Sequence, residues 1–155
     1  MLKKIAVFGL VTLNTILLNF PAPIVKAQEF NAFTCIKVNG YDSSIRQTND
    51  VISVGKRIRR PIYYITLNSY EATCEIQDEK VTKLNFSLAM PDNSKLQMAE
   101  FSVFLEGNLA KKVKVKRGTQ LTFSVPLNGS KNFAIEAQKL QGDWGILYFL
   151  KYEAQ

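Results

Sequence analysis

The chain contains no histidine among its 155 residues. That absence removes the commonest general base, proton shuttle and metal ligand. Ser-His-Asp and Cys-His catalysis are excluded, and so are His-based zinc sites. There are only two cysteines, Cys35 and Cys74, so a closed four-thiolate zinc site cannot form within one chain. The 13 acidic residues are scattered, and no D-x-D-x-D run of the kind that clusters oxygen ligands for calcium appears. No nucleophile motif stands beside them. A non-catalytic protein without a cofactor is the expectation.

Long apolar runs are equally scarce. The one that matters is Ile5 to Leu18, behind a basic head of Lys3 and Lys4. Pro21 and Pro23 end it, and Val25-Lys26-Ala27 carries small residues where a signal peptidase accepts them. This is the layout of a cleaved secretory signal peptide over residues 1–27. The run is short for crossing ~30 Å of hydrocarbon. No transmembrane segment is expected in the mature chain, 28–155, which reads as a single domain that is secreted or periplasmic. Removing Lys3, Lys4 and Lys26 lowers the formal charge from +7 to +4, so much of the basicity belongs to the leader. Nucleic acid is a poor fit for such an exported chain.

In an oxidising compartment an even cysteine count favours pairing. A Cys35–Cys74 disulfide is therefore expected, the alternative being two buried thiols on separate strands.

From about residue 33 the hydrophobic pattern has period two. Leu84, Phe86, Leu88 and Met90 alternate with Asn85, Ser87 and Ala89, and Leu121, Phe123, Val125 and Leu127 with Thr122, Ser124 and Pro126. Such alternation marks strands with one buried face. Turn sequences such as Asn39-Gly40, Glu106-Gly107-Asn108 and Arg117-Gly118 separate the runs at short intervals. Strands are expected near 33–38, 51–54, 61–67, 72–77, 81–90, 100–106, 110–116, 119–127, 132–138 and 144–152. Only Ser94 to Glu100 tolerates a helix. The fold class is all-β: a jelly-roll sandwich of about 8–10 short antiparallel strands. The run Ile146 to Leu150, apolar on both faces, reads as a central strand covered on both sides. Phe86, Leu88, Val103, Phe123, Val125 and Ile135 are the expected core.

Phe101-Ser-Val103-Phe-Leu-Glu106-Gly107-Asn108 resembles the F-x-V-x-x-D-G-K hairpin of the NPCBM family of carbohydrate-binding modules. Val125-Pro-Leu127-Asn-Gly129-Ser-Lys-Asn-Phe133 resembles its V-x-L-x-G-x-x-x-L step, so the resemblance lies mainly over 101–133. Val54-Gly55-Lys56 is similar to its I-x-G-K turn. Where that family has a histidine after the turn, this chain has Arg59-Arg60-Pro61, and the family's acidic, His-containing run near its C-terminal Trp is reduced here to Gly142-Asp143-Trp144. The resemblance implies a galactose-binding-like β-sandwich and a polysaccharide or other glycan as partner. Such folds can also carry a structural calcium built from distant loops, which nothing in this sequence supports.

Within that fold, Trp144 and Asp143 stand at a loop-to-strand junction, and Tyr41 and Tyr70 stand next to turn residues. These four are the candidate ligand-binding residues. An exposed indole would stack on a pyranose ring; a buried one would close off the core. Lys112, Lys114 and Lys116 share one strand face and run into Arg117, with a second basic group at Lys56, Arg57, Arg59 and Arg60. The strip over 112–117 would either bind an acidic envelope partner or anionic surface, or be a solvated face that protects a strand edge. Carbohydrate or envelope-polymer binding is the first functional expectation. A structural or accessory envelope protein docked through the basic strip is the second.

Overall fold

The computed structural model describes residues 33–39 and 45–155. The segment read as a signal peptide and the candidate Tyr41 lie outside the described residues. Twelve strands follow one another: β1 (Phe33–Asn39), β2 (Arg46–Gln47), β3 (Ile52–Val54), β4 (Arg57–Arg59), β5 (Tyr63–Leu67), β6 (Ser69–Ile76), β7 (Lys83–Ala89), β8 (Leu96–Leu105), β9 (Asn108–Lys116), β10 (Gln120–Pro126), β11 (Asn132–Gly142) and β12 (Gly145–Ala154). Two antiparallel five-stranded sheets form, in the orders β1-β6-β11-β8-β9 and β10-β7-β12-β5-β2, with β3 and β4 as a separate hairpin. The all-β, sandwich-forming expectation holds. The stretch 94–100 is not helical: β8 begins at Leu96, because Leu96 and Ala99 are needed in the core.

The main core lies between the sheets. Phe86 and Leu88 of β7, Phe101 and Val103 of β8, Ile135 of β11 and Leu147 and Phe149 of β12 are fully buried. Phe86, Phe101 and Phe149 make ring contacts at its centre, with centroids 5.4 and 5.9 Å apart in successive pairs. Phe123, expected in this core, is only half-buried. It stacks on Phe86 at 5.3 Å, but β10 is an edge strand, so one of its flanks has no neighbouring strand to cover it.

β12 occupies the middle of its sheet, as its two-faced apolarity predicts. Leu147 and Phe149 enter the main core. Tyr148, on the opposite face, packs with Ala89 and with Ile52 and Val54 of the β3–β4 hairpin. Tyr64, Ile146 and Leu150 surround this second cluster. The adjacent tyrosines of β5 divide as period two requires: Tyr63 is buried in the main core and Tyr64 faces Tyr148, ring centroids 6.1 Å apart.

Cys35 and Cys74 lie directly opposite each other in the β1–β6 register and are bridged. The bond ties β1, an edge strand among the described residues, to its neighbour β6. At the other edge, Glu106-Gly107 turns β8 into β9 with both residues at positive φ, 47° and 80°, the backbone twist that a tight hairpin favours. The Glu106 carboxylate then accepts hydrogen bonds from the backbone N–H groups of Lys131 and Asn132, at 2.9 and 3.0 Å. Those bonds hold its carboxyl below the ordinary glutamate range.

Candidate functional site

Trp144 sits on the β11–β12 turn and is 61% exposed, the most open aromatic side chain among the described residues. The turn is not loose. A Cβ added to Gly142, whose φ is +96°, would stand 2.5 Å from the Lys95 carbonyl oxygen and 2.7 Å from the Gln97 nitrogen. One added to Gly145 would meet the Leu96 Cβ at 2.6 Å. Only glycine lets the backbone press this closely onto the start of β8. The Asp143 N–H also donates to the Lys95 carbonyl at 3.3 Å. The indole is thus carried on a backbone clamped on both sides.

Period two then sets its neighbours. Trp144, Ile146 and Tyr148 point to the same side of β12, and with the loop 91–95 they line a cleft of about 300 Å³. Tyr148 closes its floor; its hydroxyl donates to the Asp50 carboxylate at 3.1 Å. Burial and that acidic neighbour push the phenol up to about 12. The cleft combines apolar walls with a few polar groups, the composition that fits the amphipathic faces of a small ligand. Other hollows lack an exposed aromatic wall. One on the outer face of the β6-β11-β8 sheet holds about 90 Å³ among Ser102, Glu100, Glu136 and Gln138, and no aromatic side chain presents an open ring there.

The sequence-derived candidates are scattered by the fold. Asp143 is exposed beside Trp144. Tyr70 does not stand at a loop tip: it is 4% exposed within the main core, and desolvation raises its phenol to about 12. Lys112, Lys114 and Lys116 are exposed, but their strip is not purely basic. Glu100 lies opposite Lys114 in register, and it pairs with Lys112 at 2.8 Å. Lys112 and Gln138 hold its carboxyl below the usual range. Tyr148 and the loop 91–95 escape a reading by sequence. Tyr148 is legible only as the residue four beyond Trp144 on one strand face. Among the described residues no group of three or more carboxylates and thiols is placed to hold a metal ion, and no helix is long and apolar enough to cross a membrane.

No family model and no curated protein matches the sequence. Solved structures do match the fold. The CBM51 from Clostridium perfringens GH95, in complex with methyl-galactose, superposes with a TM-score of 0.61 at 10% identity, covering 79% of this chain and 100% of that one. A structure of CBM51-2, in complex with GlcNAc, and INT domains from Clostridium perfringens ZmpB gives 0.55 at 10% identity over 78% of this chain. A second ZmpB structure with the same domains gives 0.53 at 11% identity. This chain spans only 29% of the length of each ZmpB structure. At such identities the likeness concerns architecture: the chain has the β-sandwich fold of carbohydrate-binding modules.

Proposed function

We propose that this protein is an exported, non-catalytic module that binds carbohydrate in the Trp144 cleft. The observation that carries the reading is a single one: an indole 61% open to solvent, held on a clamped turn, over a wall made by Ile146 and Tyr148. A large exposed aromatic contributes little to the fold, so its rigid presentation favours a partner. Indole faces match the apolar face of a pyranose, while loop groups such as Asn93 and Lys95 are at hand for its hydroxyls. The shared fold supports the reading, as do sugars bound by two of the similar modules. Stacking and hydrogen bonding require no cofactor. Export is supported by the Cys35–Cys74 disulfide, which persists in oxidising compartments.

The purified protein on a glycan array, compared with Trp144→Ala, tests the proposal. The variant should lose binding while its melting temperature stays within about 2 °C of the parent, because little buried surface is removed. Glycan binding unchanged in the variant would place the site elsewhere.

A further inference from the structure

The loop 91–95 has two sides. Pro91, Asn93 and Lys95 line the Trp144 cleft. Asp92 points away and clamps the β3–β4 turn: its carboxylate accepts from Ser53 Oγ at 2.6 Å, Gly55 N at 2.9 Å and Lys56 N at 3.1 Å. The β9–β10 turn closes on the same residue. Gly118 lies so near that an added Cβ would stand 2.7 Å from Asp92 Oδ1, and its carbonyl faces Gly55. Gly118 N donates to Met90 O at 3.0 Å and Arg117 N to Gln97 O at 2.9 Å. Arg59 Nε reaches Gln120 Oε1 at 2.9 Å.

Two basic groups that are separate in sequence are thereby joined. Lys56 and Arg57 from one, and Lys116 and Arg117 from the other, are exposed on turns held against the loop that walls the cleft. Lys95 stands in the cleft wall itself. None of these five forms an ion pair among the described residues. The acids nearby are fewer. Asp92 stays ionised, held by Ser53 Oγ and two backbone N–H groups, and its charge acts on Lys56; Asp50 accepts from Tyr148, and Asp143 is open.

We infer that the saccharide taken by this cleft is anionic, and that its carboxylate or sulfate groups lie along the basic ridge formed by the β3–β4 and β9–β10 turns. The inference rests on the reading that the Trp144 cleft binds sugar. Surface cations in excess over the neighbouring acids raise the local concentration of an anionic polymer and add salt-sensitive affinity, while the indole supplies the contact that a plain polyanion would not need.

Binding of the purified protein should be measured to polygalacturonate and its full methyl ester, and to dextran sulfate and dextran. Salt at about 20 and 300 mM spans weak and strong screening. A charged polymer should bind roughly ten-fold or more tightly than its uncharged counterpart at low salt, with the gap shrinking at high salt. Which charged polymer does so distinguishes carboxylate from sulfate. Lys56→Glu with Arg117→Glu should remove that preference, and so should the second pair Arg57→Glu with Lys116→Glu, each with an unchanged melting temperature. Trp144→Ala should weaken the charged polymer as well. Equal, salt-insensitive binding of charged and uncharged polymers would overturn the inference and leave the sugar-binding reading standing. Charged-polymer binding lost in the ridge variants yet untouched by Trp144→Ala would overturn the inference, because the ridge would then act apart from the cleft, leaving the sugar-binding reading to the array. Failure of all four polymers to bind would overturn the inference, leaving the sugar-binding reading to the array.

Discussion

Phe86 and Phe123 stack on each other, yet only one is closed off from water. Phe86→Ala should cost about 3–5 kcal/mol in a denaturant titration, because it leaves a cavity at a fully buried site. Phe123→Ala should cost clearly less, since an edge-strand site can relax toward solvent. Equal losses would mean that β10 is better covered than its edge position implies. The phenols offer a second test. Tyr70 and Tyr148 both have pKa values raised to about 12 from an ordinary 10. The folded state thus keeps two protons that the unfolded chain gives up first. Their contribution is fully present below pH 10, and it is lost as the pH rises through about 12. An absorbance titration should show two phenols ionising well above the ordinary tyrosine range, with stability falling between pH 10 and 12. Flat stability across that window would refute the linkage.

At the scale of the element, Asp92 is the keystone of the β3–β4 hairpin. A three-residue pair of strands has too few ladder bonds to stand alone. It persists because Ile52 and Val54 are buried on Tyr148 and Ala89, and because Asp92 satisfies the turn. Those hydrogen bonds, with Ser53 Oγ foremost, hold its carboxyl below the ordinary range. The clamp is therefore present above the usual aspartate pKa and lost as the pH falls through the lowered value. Asp92→Ala should accelerate amide exchange at Gly55 and Lys56 while leaving the β7–β12 pairing protected. Unchanged exchange at both amides would show that burial alone holds the hairpin. Charge and apolar pattern marked this segment as basic and partly extended, but an acceptor 37 residues distant from Gly55 leaves no local trace.

For the whole molecule, the disulfide and the leader are tested together. Intact mass of the protein purified from outside the cytoplasm should begin at Gln28 or within two residues of it, and should lack the two hydrogens of free thiols. Reduction should then lower stability by up to roughly 4 kcal/mol, since the bridge closes a loop between residues 39 apart. A mass that retains Met1, or thiols that titrate freely, would count against export and the bridge respectively.

Period two in residues 84–90 and 121–127, and the two-faced run 146–150, made most of the strands, the class of fold and the central place of β12 legible in advance, but not the short strands 46–47 and 57–59. That pattern is local, and a strand's buried face is written in its alternate residues. The cysteine pair was legible too, because two cysteines in a chain whose leader reads as an export signal leave one intramolecular bond to form. What lies open and what is covered was not. Tyr70 and Trp144 both adjoin turn residues, yet one is core and the other solvent-facing, since exposure depends on which strand packs alongside. Lys112 looked like part of a free basic strip until β8 placed Glu100 against it. The ridge of Lys56, Arg57, Lys116 and Arg117 exists only because Asp92 and Gly118 bring two turns together across the sandwich. Sequence alone determined most of the strands and which residues face inward along them, because backbone geometry repeats every two residues. Tertiary structure alone decided the cleft and its charged border, because residues far apart in the chain meet there.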